Sequence, residues 1–166
     1  MQENKTLPKL KEKFSESLIQ VHSLLDQDTV SITKSALLPI ARYLNEDPEL
    51  QYDYLMDLTA VDYWKRTPRF EMVYHFLSLE NLIRIRIKVP VDIHKLEIDS
   101  LTRIWSNANW YEREVYDMFG IHFIGHPDLR RILMYPEFEG YPLRKDYPID
   151  KRQPRVGPPE FFVLKD

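Results

Sequence analysis

At 166 residues, with 43% hydrophobic and 30% charged side chains, the chain has the size and composition of one globular domain able to bury a core. Its formal net charge of -3 supplies no overall field to recruit nucleic acid or an anionic membrane. It contains no cysteine, which excludes disulfides, thiolate-held iron–sulfur clusters and cysteine zinc sites on this chain.

The opening residues, MQENKTLPKLKEK, lack the apolar core of a signal peptide, and no run reaches membrane-spanning length. A cytoplasmic location is expected, with any membrane attachment made through partners. Leu7, Leu10, Phe14, Leu18, Val21 and Leu25 recur at three- and four-residue steps, which predicts one amphipathic helix packed on a core. Asp26 to Asp28 end it, and 29–33 (TVSIT) read as a short strand. A second helix follows, with Leu37, Leu38, Ile40, Ala41 and Leu44 apolar. Pro39 lies near its first turn, where a missing N–H is tolerated, and Asp47-Pro48 marks its end.

Three strands come next, over 52–63, 70–77 and 82–89. The third alternates, with Ile83, Ile85, Ile87 and Val89 on one face and Arg84, Arg86 and Lys88 on the other, the pattern of a sheet buried on one side. The last two strands are separated by SLEN and so predict an antiparallel hairpin, in which Glu71 is expected to face one of the arginines. Pro90 is expected to stop the third strand. Residues 98–105 read as a helix with Leu101, Ile104 and Trp105 apolar, and Asn107 and Asn109 as turn or cap residues beyond it.

The stretch 110–148, WYEREVYDMFGIHFIGHPDLRRILMYPEFEGYPLRKDYP, concentrates charge, aromatics and turn formers. Glu112, Glu114, Asp117, His122, His126 and Asp128 invite a metal site. Geometry argues against one. Glu112 and Glu114 point about 200° apart on a helix, and His122 and His126 lie beyond Gly120, where the helix should end. Arg113, Arg130 and Arg131 compete for the carboxylates as guanidinium forks. General acid–base work needs a carboxyl raised in an apolar pocket, whereas acids here alternate with bases. There is no Gly-x-Ser-x-Gly elbow and no glycine-rich phosphate loop among only four glycines. The basic face of 84–88 near aromatics raises an RNA-binding module, against which the acidic net charge argues. A docking device remains, since arginine, tyrosine and tryptophan are enriched at interface hot spots.

Beyond Gly125 the chain holds seven of its twelve prolines and six aromatics, Tyr135, Phe138, Tyr141, Tyr147, Phe161 and Phe162. That mixture predicts an extended arm, 135–166, ordered against another surface and appended to a domain over 1–134.

The run Glu112-Arg113-Glu114-Val115-Tyr116-Asp117-Met118-Phe119-Gly120, followed by Gly125-His126-Pro127-Asp128-Leu129-Arg130-Arg131-Ile132-Leu133, closely resembles a family signature. The family is the 30 kDa subunit of respiratory complex I, the C-type component of bacterial NADH–quinone oxidoreductase. Residues 140–148 (GYPLRKDYP) and the strand run 57–63 (DLTAVDY) also resemble it, so the likeness spans well over half the chain. The resemblance implies a two-layer α+β domain, helices packed on a mixed or antiparallel sheet, with an extended C-terminal arm. It implies a non-catalytic member of an enzyme complex that couples electron transfer to proton pumping, peripheral on the cytoplasmic side of the cell inner membrane. The implied partners are the large quinone-site subunit, along which the arm lies, and neighbours bearing iron–sulfur clusters. NADH, FMN, clusters and quinone would reside in those partners and none on this chain. Glu112, Arg113, Glu114, Asp117, Gly120, His126, Asp128, Arg130, Arg131, Tyr141, Arg144 and Asp146 are then structural or interface residues. Among them Glu112, Arg113, Glu114, Asp117, Arg130 and Arg131 are expected to form an ion-paired framework that fixes the arm. Alternatives are the equivalent subunit of a complex I-like hydrogenase or photosynthetic relative and, from other classes, a metal-dependent hydrolase or an RNA-binding module.

Overall fold

A computed structural model describes residues 5–25 and 27–153. The first apolar stripe divides between two elements. Helix α1 (Thr6–Phe14) stops at a 3-10 turn over Ser15–Ser17, and strand β1 (Leu18–Leu24) follows. The single helix expected through Leu25 is therefore wrong in its second half. Leu18 and Val21 do face the core, but from a strand paired with β2 (Gln27–Ile32). Pairing over this stretch outweighs a helical period that a short run shares with a half-buried strand.

Helix α2 (Leu37–Glu46) buries Leu37, Ile40, Ala41 and Leu44, as its spacing requires. Strands β3 (Tyr54–Asp62), β4 (Phe70–Ser78) and β5 (Ile83–Val91) then complete a five-stranded sheet in the order β1-β2-β5-β4-β3. All neighbours are antiparallel except β2 and β5, which run parallel. The sheet is thus mixed and the fold α+β. On β4 and β5, Phe70, Met72, Tyr74, Phe76, Ile85, Ile87, Val89 and Val91 are buried in one cluster with the inward residues of α1, α2 and the later helix α3 (Ala108–Phe119). The opposite face carries Arg84, Arg86 and Lys88, on the side their alternation predicted.

Three local expectations need correction. Pro90 lies inside β5, because pairing with β2 ends at Ser31↔Lys88 and no strand on that side needs its missing N–H. Glu71 stands opposite Pro90, and its ion pair is with Lys88 at 2.9 Å, not with an arginine. Arg84 and Arg86 are carried down the strand to face Leu77 and His75. Finally, 98–105 is not a helix. Strand β6 (Glu97–Asp99) pairs in parallel with β7 (His122–Ile124), and turns follow. Leu101 and Trp105 are still buried, and the Trp105 indole donates to the Tyr52 carbonyl at 3.1 Å.

Candidate functional site

The densest polar network lies where α3 meets the chain beyond β7. Helix α3 ends because Gly120 takes a left-handed conformation (φ 73°) while its N–H bonds the Tyr116 carbonyl. A Cβ on Gly120 would lie 2.5 Å from the Tyr141 ring, so glycine both ends the helix and lets the returning arm sit on it.

Asp117, fully buried in the last turn of α3, is the first anchor. Its Oδ2 accepts the backbone N–H groups of Ile132, Leu133 and Met134 at 3.0, 2.8 and 2.8 Å. Its Oδ1 accepts from the Arg131 guanidinium at 2.6 Å. Burial pushes this carboxyl up, but the N–H groups of Met134, Leu133 and Ile132 together with Arg131 outweigh it and leave it below the ordinary carboxylate range. Arg131 also donates to the Gly140 carbonyl at 3.0 Å and stacks against Phe138 and Tyr141. One carboxylate therefore fixes three consecutive residues at the root of the arm, and its guanidinium partner fixes the turn beyond.

The second anchor joins the arm to the sheet. Arg69 donates to both oxygens of buried Asp62 at 2.8 and 2.7 Å and to both oxygens of Asp146 at 2.9 Å. Asp62 also accepts the N–H of Lys145 at 2.9 Å and that of Trp64 at 2.8 Å. The Arg69 guanidinium, helped by those two N–H groups, holds Asp62 far below the usual carboxylate range against the upward push of burial. Between the anchors, Leu143 N–H bonds the Met118 carbonyl, and Arg144 donates to the Phe119 carbonyl while lying over the Tyr141 and Phe70 rings.

The remaining expected framework residues sit differently. Arg113 pairs with no acid among the described residues. It donates to the carbonyls of Arg130 and Arg131 at 3.1 and 3.2 Å and stacks on Trp110. Arg130 does meet a carboxylate, Asp128 at 2.9 Å, but both are exposed and the pair contributes little. Glu114 is exposed on the helix side away from Glu112. His126 stabilises its own turn, taking the Asp128 N–H on Nδ1 at 3.0 Å with Nε2 3.3 Å from the Asn109 carbonyl. Only Asp117 and Arg131 of the six thus form a shielded ion pair.

Glu112 departs furthest from expectation. It is fully buried, and Oε1 accepts the Leu101 N–H at 2.7 Å, while Oε2 has no partner among the described residues. Burial raises its pKa to about 7, against the smaller downward pull of Ser100 and the Leu101 N–H. It is a core acid, not a salt-bridge member. Sequence reasoning does not reach Asp62 and Arg69 as anchors. Asp62 stands in the DLTAVDY run that carries part of the resemblance, while nothing in the spacing around Arg69 marks it.

A family model described as the respiratory-chain NADH dehydrogenase 30 kDa subunit matches residues 30–153, a range that includes both anchors. The chain belongs to that family. Relatives of the 30 kDa type include the NADH-quinone oxidoreductase C subunit of Citrifermentans bemidjiense, 45% identical over 156 residues that cover 93% of this chain and 96% of the relative. The corresponding C subunit of a Roseiflexus species is 50% identical over 121 residues, covering 73% of this chain and 70% of the relative. Among solved structures, a trypsin-resistant fragment (1–134) of Nqo5 matches at TM-score 0.64 and 29% identity, covering 75% of this chain and 99% of the fragment. A chain of the membrane-bound sulfane sulfur reductase, an archaeal respiratory membrane complex, matches at TM-score 0.71 and 26% identity, covering 87% of this chain and 85% of its own. None of the described helices is long and apolar enough to cross a membrane.

Proposed function

We propose that the chain is a non-catalytic structural subunit of the peripheral arm of a proton-translocating NADH–quinone oxidoreductase. The α+β domain braces the quinone-site subunit and its neighbours bearing iron–sulfur clusters, and the segment 135–166 docks on the quinone-site partner. NADH, FMN, clusters and quinone belong to those partners, and the chain reaches the cytoplasmic face of the cell inner membrane only through them. Residues 154–166 lie outside the described part of the chain.

The observation that carries this reading is Asp117. A fully buried carboxylate is spent on an arginine and three consecutive backbone N–H groups. Buried and held by four donors, this carboxylate is committed to structure, and what it accomplishes is to set the direction in which the arm leaves the domain. Asp62 and Arg69 repeat the device at Asp146. Family membership and relatives matched along nearly their whole length support the same assignment. A second reading, the equivalent subunit of a complex I-like respiratory complex, draws support from the match to the sulfane sulfur reductase chain. Affinity purification of the tagged full chain from its native membranes tests both. Recovery of NADH-oxidising and quinone-site subunits supports the first reading, recovery of a different redox module supports the second, and recovery of no membrane-complex subunit overturns both.

A further inference from the structure

The two edges of the five-stranded sheet are finished in opposite ways. On β3 two backbone carbonyls are taken by the chain's own side chains: Asn107 Nδ2 donates to the Leu55 carbonyl at 2.7 Å, and the Tyr111 hydroxyl to the Met56 carbonyl at 2.9 Å. That strand also carries Asp57 and Asp62, and a register shift between Leu55 and Asp57 bends it. It offers little to another strand.

The β1 edge is open. Leu18–Leu24 reads LIQVHSL, seven residues without an acid, a lysine, an arginine or a proline. Among the described residues, the backbone of Gln20 to Leu24 is paired only with β2, so one side of its N–H and C=O groups meets no partner. Apolar side chains surround this edge in water: Ile19 is 56% exposed, Leu24 69% and Leu25 88%. Charged residues, prolines, bulges and covering elements are the usual means of blunting an edge strand, and among the described residues β1 shows only a register shift, between Leu18 and Gln20.

We propose that β1 is an acceptor for strand addition, taking an extended, uncharged segment of a neighbouring subunit; the proposal rests on the reading of this chain as part of a multi-subunit assembly. The open backbone identifies the occupant, because only another extended backbone satisfies a row of alternating donors and acceptors. With no acid, lysine or arginine on β1, a charged segment would find no counter-ion on this strand, so an uncharged one fits better. A second copy of this chain fits less well. A two-fold pair centred on Val21 would run Ser23 and Leu24 of each copy across the irregular Leu18–Gln20 end of the other. A foreign strand needs only the regular half, Gln20 to Leu24.

Hydrogen–deuterium exchange tests the idea, with the isolated full chain and the membrane complex purified through a tag on this chain as the two samples. In the isolated chain, alternate amides of Gln20 to Leu24 should exchange far faster than those of central β5, and in the complex the same amides should slow by about tenfold or more. Purified complex in which these amides exchange as fast as in the isolated chain overturns strand addition while leaving the assembly reading intact. Slow exchange already present in an isolated chain that sediments as a dimer overturns it in favour of self-pairing. If no complex is recovered, the assembly reading fails and the proposal falls with it.

Discussion

Replacing Asp117 with Asn keeps the shape of the side chain and removes its charge, which isolates what the ion pair contributes. The amide oxygen can take the place of Oδ2 and still accept from Ile132, Leu133 and Met134. The amide nitrogen must then occupy the Oδ1 position, where it presents a donor to the Arg131 guanidinium that now lies 2.6 Å from an acceptor. Removing one partner of a buried pair costs about 3–5 kcal/mol. Arg131 keeps 19% of its side-chain surface in water, and it retains its bond to the Gly140 carbonyl, so a cost of about 2–4 kcal/mol is expected. This cost falls on holding the arm, because the apolar core beneath the sheet is untouched. The open-arm population should therefore rise roughly 30- to 700-fold. Limited trypsin digestion reads it directly, since Arg144, Lys145 and Lys151 lie in the released arm and slow cleavage there follows the open population. Cleavage within twofold of the wild-type rate, with an unchanged unfolding midpoint, would refute the assignment of Asp117 as the arm's anchor. Glu114→Gln, an exposed change on the same helix, should move neither quantity.

Three further outcomes follow from the same geometry. Glu112 has a folded-state pKa of about 7 against an ordinary value of 4.5, so between those values the folded protein binds more protons than the unfolded chain and stability falls as pH rises. The loss is on the order of 3 kcal/mol and levels off above about pH 7; Glu112→Gln should flatten that part of the profile in urea unfolding measured from about pH 4.5 to 8, and parallel profiles would reject the buried-acid account. Arg69→Met leaves buried Asp62 without its cation and should destabilise the domain by about 3–5 kcal/mol in chemical unfolding, with loss of the Asp146 contact; a change below about 1 kcal/mol would contradict the second anchor. Gly120→Ala combines a left-handed backbone with a Cβ 2.5 Å from the Tyr141 ring, and it should lower stability by at least about 1 kcal/mol and speed trypsin cleavage of the arm; a neutral substitution would show that the arm does not rest on this glycine.

The sequence is most legible where a period persists and least where partners distant along the chain decide the structure. The alternation of Ile83 to Val89 places β5 and both its faces correctly, because a two-residue period over seven positions has no helical equivalent. Residues 18–25 mislead because Leu18, Val21 and Leu25 satisfy a helical stripe, while the strand they join is specified by β2. The stretch 98–105 fails likewise, since β6 exists only through its parallel partner β7. At the site, Asp117 and Arg131 are legible only as two of the six residues expected to form an ion-paired framework. Their division of labour is not visible, because three of the four bonds to Asp117 come from backbone N–H groups, which carry no side-chain signature. Glu112 misleads for a related reason: acids alternating with arginines suggest pairing, but helical geometry turns Glu112 into the core and Arg113 out toward the carbonyls of Arg130 and Arg131. Arg69 is out of reach, because its partners lie 7 and 77 residues away.

The central claim is that this chain acts by binding and bracing, with its arm as the means. Deleting 135–166 from the tagged chain and purifying both forms from the same membranes tests it most directly. The account predicts that the shortened chain keeps its helices and sheet by circular dichroism but no longer recovers the quinone-site subunit that accompanies the full chain. Equal recovery of that subunit with both forms would contradict it.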